Sequence, residues 1–296
     1  MWKVESLKWD GQRRPGQPPI KKERTMETRK KISIAVLGAM CCLQFSGVAR
    51  AEEEDKPTAN LAVAALSKYV WRGFEVTRNS MVLEPSMTVA YKGFSANVWG
   101  NLDTDYYGSG PNSGTNFWNE TDFTLAYDWT MGPVGMTAGY IYYAFDGLPD
   151  TQEVFARAAW HVLLTPTLSI YRDYQNLAGW YITLGVSHTI PITEKIGVSL
   201  GAQAGYLDAA DASSYAEVNA SNWTYTDKSF NGFHDGLLSV SVPIQANKYI
   251  TVTPVLNYSF PLSGKSADLI EIRSLNGGGS GDNNFVYGGV TVSMAF

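Results

Sequence analysis

From residue 61 to residue 296 apolar side chains recur at every second position, in stretches near ten residues long, and no window beyond a turn or two holds helical spacing. In the segment 81–92, Leu83, Pro85, Met87, Val89 and Tyr91 share one parity, while Glu84, Ser86, Thr88, Ala90 and Lys92 share the other. Segment 119–130 sets Phe123, Leu125, Tyr127 and Trp129 against Glu120, Asp122, Thr124, Ala126 and Asp128. Segment 249–260 does the same with Ile250, Val252, Pro254, Leu256 and Tyr258 against Thr251, Thr253, Val255, Asn257 and Ser259. Successive side chains of a strand point to opposite faces, so the pattern predicts an all-β protein. Twelve strands are expected, near residues 61–72, 81–92, 94–103, 119–130, 134–145, 152–162, 167–175, 179–190, 196–207, 231–243, 249–260 and 284–296.

Alternation fits a sheet with one wet face or a membrane barrel that is apolar outside and polar within. Length and connections separate the two. The segments suit tilted membrane-crossing strands of about 9–11 residues. Short connections (Lys92-Gly93, MGPV, LLTP, PITEK, QANK) alternate with long polar ones such as DYYGSGPNSGTNFW and DAADASSYAEVNASNWTYTDKSF, apart from two short ones near Gly147 and Asn176. A soluble sandwich has no reason to sort its loops by length between its ends; a transmembrane barrel does. Aromatic residues fall where strands would meet the two interfaces: Tyr69, Trp71, Trp180 and Tyr206 at one end, Tyr91, Phe94, Trp129, Trp160 and Phe296 at the other. The expected fold is a transmembrane, antiparallel, up-and-down β-barrel of about twelve strands over residues 60–296. Pro85 and Pro254 lack the N–H a ladder uses, so a bulge or ladder break is expected at each.

The stretch LSKYVWRGFEVTRNSMVLEPSMTVAYKGFSANVWGN resembles the TorF-like porin family of outer-membrane barrels, through Ser67, Tyr69, Arg72, Gly73 and the Lys92-Gly93-Phe94 hairpin. TLSIYRDYQNLAGWYITLGVSHTI is a second matching block, and Lys68 stands where the family often has an acidic residue. The resemblance implies an outer-membrane location and a channel, and defines no solute.

Before the barrel, Arg29, Lys30 and Lys31 precede an apolar run from Ile32 to Leu43 and then Ala49-Arg50-Ala51. This is the layout of a signal peptide over 26–51 with an A-x-A cleavage site. The run is shorter than the roughly 20 residues a spanning helix needs. Cys41 and Cys42 follow residues too bulky for a lipoprotein site. Residues 1–25 read as an upstream extension before a start at Met26, and 52–59 as a periplasmic segment. No cysteine follows Ala51, so no disulfide staples the exported chain. Of 23 basic and 28 acidic residues, 11 and 4 precede residue 52, which leaves 12 against 24 and a net charge of −12. Such a chain is a poor nucleic-acid binder.

Parity places Lys68, Arg72, Lys92 and Arg157 toward the lumen, with Glu84, Asp103, Glu120, Asp122, Asp128, Glu153 and Asp173. Seven acids against four bases predict weak cation preference in an open pore. The alternative is a salt-bridged network that plugs the barrel, as side chains fill eight-stranded ones. Catalysis finds little support. An outer-membrane phospholipase of similar strand number uses a Ser two residues from a His, and none of His161, His188 or His234 has one at the second position after it. Ser187 and His188 point to opposite faces, and His234-Asp235 reads as a solvated loop end. Ser263 to Ser266 lacks the first glycine of a phosphate loop. Asn101, Asp103 and Asp105 lack the glycine and glutamate of a calcium loop. No enzyme activity, metal or cofactor is expected.

Phe296, Met294, Val292, Val290 and Val286 form a lipid-facing row interrupted at Gly288, with Thr291 and Ser293 turned inward. This row resembles the C-terminal signal that barrel-assembly machinery reads. The expected partners are outer-membrane lipid, that machinery, periplasmic chaperones, and small solutes or ions. A passive channel is the first functional reading, and a non-conducting surface or structural barrel the second.

Overall fold

The computed structural model describes residues 56–107, 114–274 and 282–296. The upstream extension, the signal segment and the start of the periplasmic segment lie outside the described residues.

Twelve strands form one antiparallel ring: β1 Thr58–Leu66, β2 Val82–Tyr91, β3 Phe94–Asp103, β4 Phe117–Met131, β5 Val134–Phe145, β6 Thr151–Trp160, β7 Thr167–Asp173, β8 Gly179–Pro191, β9 Gly197–Ala209, β10 Asn231–Ser241, β11 Ile250–Pro261 and β12 Phe285–Ala295. Each strand pairs with the next, and β1 closes the ring on β12 through Leu61↔Met294 to Leu66↔Gly289. Ala59 N donates to Phe296 O (2.8 Å) and Phe296 N to Ala59 O (3.0 Å), so the seam is sealed to its end. A closed ring leaves no strand edge unpaired.

The two rims differ. One carries the connections 92–93, 132–133, 161–166, 192–196 and 242–249, together with Thr58 and Ala295. The other carries 67–81, 104–116, 146–150, 174–178, 210–230 and 262–284; this is the loop rim below. On the outside of the wall stand Leu61, Val63, Met87, Val89, Phe123, Leu125, Leu184, Leu200, Leu256, Val290 and Val292, all exposed. Leu184, in the middle of β8, is 60 % exposed, and Phe94 and Phe296 beside the short-turn rim are 67 % and 61 % exposed. Their neighbours of opposite parity are buried: Glu84, Thr124, Ser199, Thr253, Asn257, Thr291 and Ser293.

Both prolines sit at ladder lapses. Pro85 pairs with Val63 on β1, but the β2–β3 ladder skips from Leu83↔Leu102 to Ser86↔Trp99. Across from Pro254, β10 ends at Ser241↔Val255. Val242 N then donates to Pro254 O (3.0 Å), and pairing resumes at Ile244↔Val252.

Three elements depart from the sequence expectation, one of them an Ala216–Asn219/Thr224–Ser229 hairpin within the connection before β10. The first strand stops at Leu66 instead of reaching Arg72, so Tyr69 and Trp71 do not join the outer aromatic girdle. Tyr69 is buried inside, and Trp71 packs edge-on against Tyr143. The polar stretch after Pro261 contains a helix, α1 Gly264–Arg273. Ser263 Oγ accepts from Ser266 N (3.1 Å) and Ser266 Oγ from Ser263 N (2.9 Å), a reciprocal cap that satisfies N-terminal donors. The Ser-Gly-Lys-Ser stretch is therefore a helix start, which explains its likeness to a phosphate loop without its chemistry.

Candidate pore and its constriction

Twelve tilted strands spaced roughly 4.8 Å apart set a backbone radius on the order of 12 Å. The half nearer the short turns points Ser, Thr, Asn and Ala side chains inward, among them Ser95, Asn97, Ser199, Ser241, Thr253 and Ser293. Side chains that short do not reach the axis of such a ring. Toward the loop rim the wall turns aromatic and apolar, with Ile141, Tyr143, Tyr171, Tyr181, Leu207, Phe285 and Tyr287 inward and buried. Apolar groups inside a wide ring stay dry only if something fills it.

The filling is the connection between β1 and β2, joined by residues of α1 and of the 210–230 connection. Val70↔Glu75 and Trp71↔Phe74 pair as a small hairpin that belongs to no barrel ladder. Arg72 (φ 48°) and Gly73 (φ 82°) both take the left-handed conformation that a two-residue type I′ turn requires. Val76 N donating to Tyr69 O (2.8 Å) lengthens the hairpin. Gly73 is needed twice over: a Cβ there would stand 2.9 Å from Asp235 Cβ and 3.1 Å from Ile270 Cδ1. Val70 and Phe74 join one apolar cluster with Tyr143, Tyr171, Tyr181, Tyr215, Phe230, Leu269 and Ile270. Helix α1 sits over the hairpin, with Ser274 Oγ accepting from Glu75 N (3.0 Å), and Arg273 lies over the Tyr215 ring at 4.4 Å.

Arg72 is the centre of the constriction. Its Nη2 donates to Glu153 Oε2 on β6 at 2.7 Å, and both side chains are nearly fully buried. Tyr143 OH donates to the same oxygen at 2.8 Å. The guanidinium lies over the rings of Tyr181 (4.4 Å), Trp71 (4.5 Å) and Tyr171 (5.1 Å). Its backbone oxygen is 3.0 Å from His234 Nε2, which places that ring's proton on Nε2. A pocket of about 40 Å³ remains between the hairpin tip and the wall, lined by Arg72, Gly73, Tyr171, Tyr181, Gln203 and Asp235 among others. That is room for about three waters.

His234 and Asp235 are not the solvated loop end their position on β10 suggested. Pairing passes from Ala204↔Gly236 to Tyr206↔Phe233, so two residues of β10 oppose the single Gly205. This β-bulge re-aims consecutive side chains, and both His234 and Asp235 are buried inside, with Tyr181 OH donating to Asp235 Oδ1 at 2.9 Å. An adjacent polar pair of opposite parity is the only trace such a bulge leaves in sequence.

The other expected pore residues fall as follows. Glu84, Asp103, Glu120 and Asp173 are inward and buried, and Asp122 is half-buried. Thr151 Oγ1 donates to Asp173 Oδ2 (2.6 Å). Asp128 and Arg157 are half-buried lower down, where Thr137 Oγ1 donates to Asp128 Oδ1 (2.6 Å). Lys68 lies in the inserted connection, 2.7 Å from Glu75 Oε1. Lys92 departs from its expected place: it occupies the β2–β3 turn with φ 50°, is exposed, and rests over the Tyr91 ring at 5.2 Å. A turn that needs positive φ takes the residue out of the strand's alternation. The inward acids of the wall gather on β2–β7; from β8 to β12 only Asp235 joins them among the described residues.

No protein-family model and no curated protein matches the chain. Solved structures similar to it include a KdgM porin at 10 % identity and TM-score 0.47, covering 80 % of this chain and 99 % of that one. A NanC porin aligns at 10 % identity and TM-score 0.48, covering 80 % and 98 %. OmpT of Vibrio cholerae aligns at 9 % identity and TM-score 0.33, covering 81 % and 97 %.

Proposed function

We propose that this protein is an outer-membrane β-barrel channel for passive diffusion of small polar solutes or ions, with a weak preference for cations. The observation that carries this is the division of the closed wall, apolar and exposed outside, polar within. Water does not tolerate so continuous an apolar belt, whereas a bilayer requires one and also forbids open strand edges. The hydroxyl- and amide-lined half offers hydrogen bonds to a hydrated solute. The acids gathered on β2–β7, most of them toward the loop rim, give that end of the path a negative potential. The Tyr69–Gly73 block, which carries the resemblance to the TorF-like porins, supports the reading because it builds the constriction. Phe296, Met294, Val292 and Val290 on the outer face of β12 are the proposed assembly signal, read by the barrel-assembly machinery after periplasmic chaperones deliver the chain.

The test is detergent extraction from membranes followed by reconstitution in a planar bilayer with a salt gradient. Detergent-dependent extraction and a cation-selective reversal potential are expected. Release without detergent would overturn the membrane reading, and anion selectivity would overturn the charge reading. A non-conducting surface barrel is the second reading, favoured by the packed lumen at the loop rim.

A further inference from the structure

The geometry points to the Val70–Glu75 hairpin as a gate, held shut by the Arg72–Glu153 ion pair and opened when the hairpin withdraws from the lumen. The inference rests on the channel reading above.

Four observations combine. The hairpin pairs only with itself, so moving it breaks no ladder bond of the barrel. Its two ends leave the wall at Leu66 and rejoin it at Val82, both at the loop rim, so it stays tethered when it moves toward that rim together with α1, which lies over it. Its tip is fastened to the wall by polar contacts: Arg72 Nη2 to Glu153 Oε2 at 2.7 Å, and Arg72 O to His234 Nε2 at 3.0 Å. The wall beyond it is a ring of roughly 12 Å backbone radius, so withdrawal would leave a passage rather than a collapsed core.

The chemistry of the latch suits a device that must both hold and release. A buried ion pair gains its mutual attraction at the cost of stripping water from both ions, and the two nearly cancel. Opening returns both ions to water, so the pair itself adds only a small difference to the hold of the apolar cluster around Val70 and Phe74. Removing one partner differs sharply, because it strands a buried charge. The three rings around the guanidinium add an attraction that an ammonium would match poorly.

The experiment compares mean bilayer currents from four proteins: the full chain, Arg72→Glu, Arg72→Glu with Glu153→Arg, and a chain with residues 70–75 replaced by a short Gly-Ser link. Heat-dependent gel mobility reports that each barrel is folded. Arg72→Glu and the hairpin-less barrel are expected to carry roughly tenfold or more current than the full chain, and the double charge swap to return it toward the closed value. Equal currents from the full chain and the folded hairpin-less barrel would overturn the gate and leave the channel standing. Silence from every folded variant would overturn the channel, and the gate with it. An open double swap would overturn the ion pair as the latch.

Discussion

At the scale of single residues, the constriction depends on a glycine as much as on its arginine. Gly73 holds φ 82° with Asp235 Cβ and Ile270 Cδ1 against the space a side chain would use. Gly73→Ala is expected to cost about 1–3 kcal/mol in seating the hairpin. Trypsin cleavage after Arg72, which is buried in the closed barrel, is the measurement: the variant should be cut faster, and unchanged protection would contradict the packing. Side-chain parity was legible from the alternation alone for Glu84, Glu120, Glu153 and Asp173, all of which face inward. Parity failed at Lys92 and at His234, and for one reason: positive φ at the turn and the extra residue opposite Gly205 each shift the count by one. Neither event has a hydrophobic signature.

Among the elements, the first strand shows why a hairpin can pass for a strand's continuation. Tyr69 and Trp71 keep the odd parity of Leu61 and Val63, so the pattern runs unbroken past Leu66, where the wall ends. Only Arg72-Gly73, read as a two-residue turn, marks the reversal, and the same two residues suit a strand end equally well. The cap of α1 was similarly obscured, because a Ser at the third helical position replaces the usual acid of a capping box. The connection between β9 and β10 makes a pH-dependent element. Tyr215 lies fully buried there, stacked on Phe74, and burial pushes its hydroxyl up to about 12. An unfolded tyrosine releases its proton near 10, so the loop's stability is complete below about 10 and declines as pH rises through about 12. Tyrosinate absorbance during alkaline titration should lose one late-titrating residue in Tyr215→Phe, and an unaltered curve would remove Tyr215 from the cluster.

For the whole molecule, the outer belt makes a quantitative prediction. Leu184 stands exposed in the middle of β8, so Leu184→Arg is expected to cost about 2–4 kcal/mol in a bilayer. Urea unfolding in liposomes measures it, and a cost near zero would place that face in water. The ring and its two unequal rims were readable from period and loop length. The filled lumen was not, because inward Tyr143, Tyr171, Tyr181 and Leu207 look, by parity, like any other second residue of a strand. What fills the ring also orders how it can be made. The hairpin comes from the first connection, yet it is clasped by Glu153, Tyr181, His234 and Ile270, spread over most of the remaining chain. The sheet therefore has to roll up around a segment already synthesised, with Arg72 and Glu153 still wet. Seam closure between β1 and β12 and the drying of that ion pair then fall at the same late moment. Contacts this distant in sequence close slowly, and here they require an open sheet to curl over its own first loop.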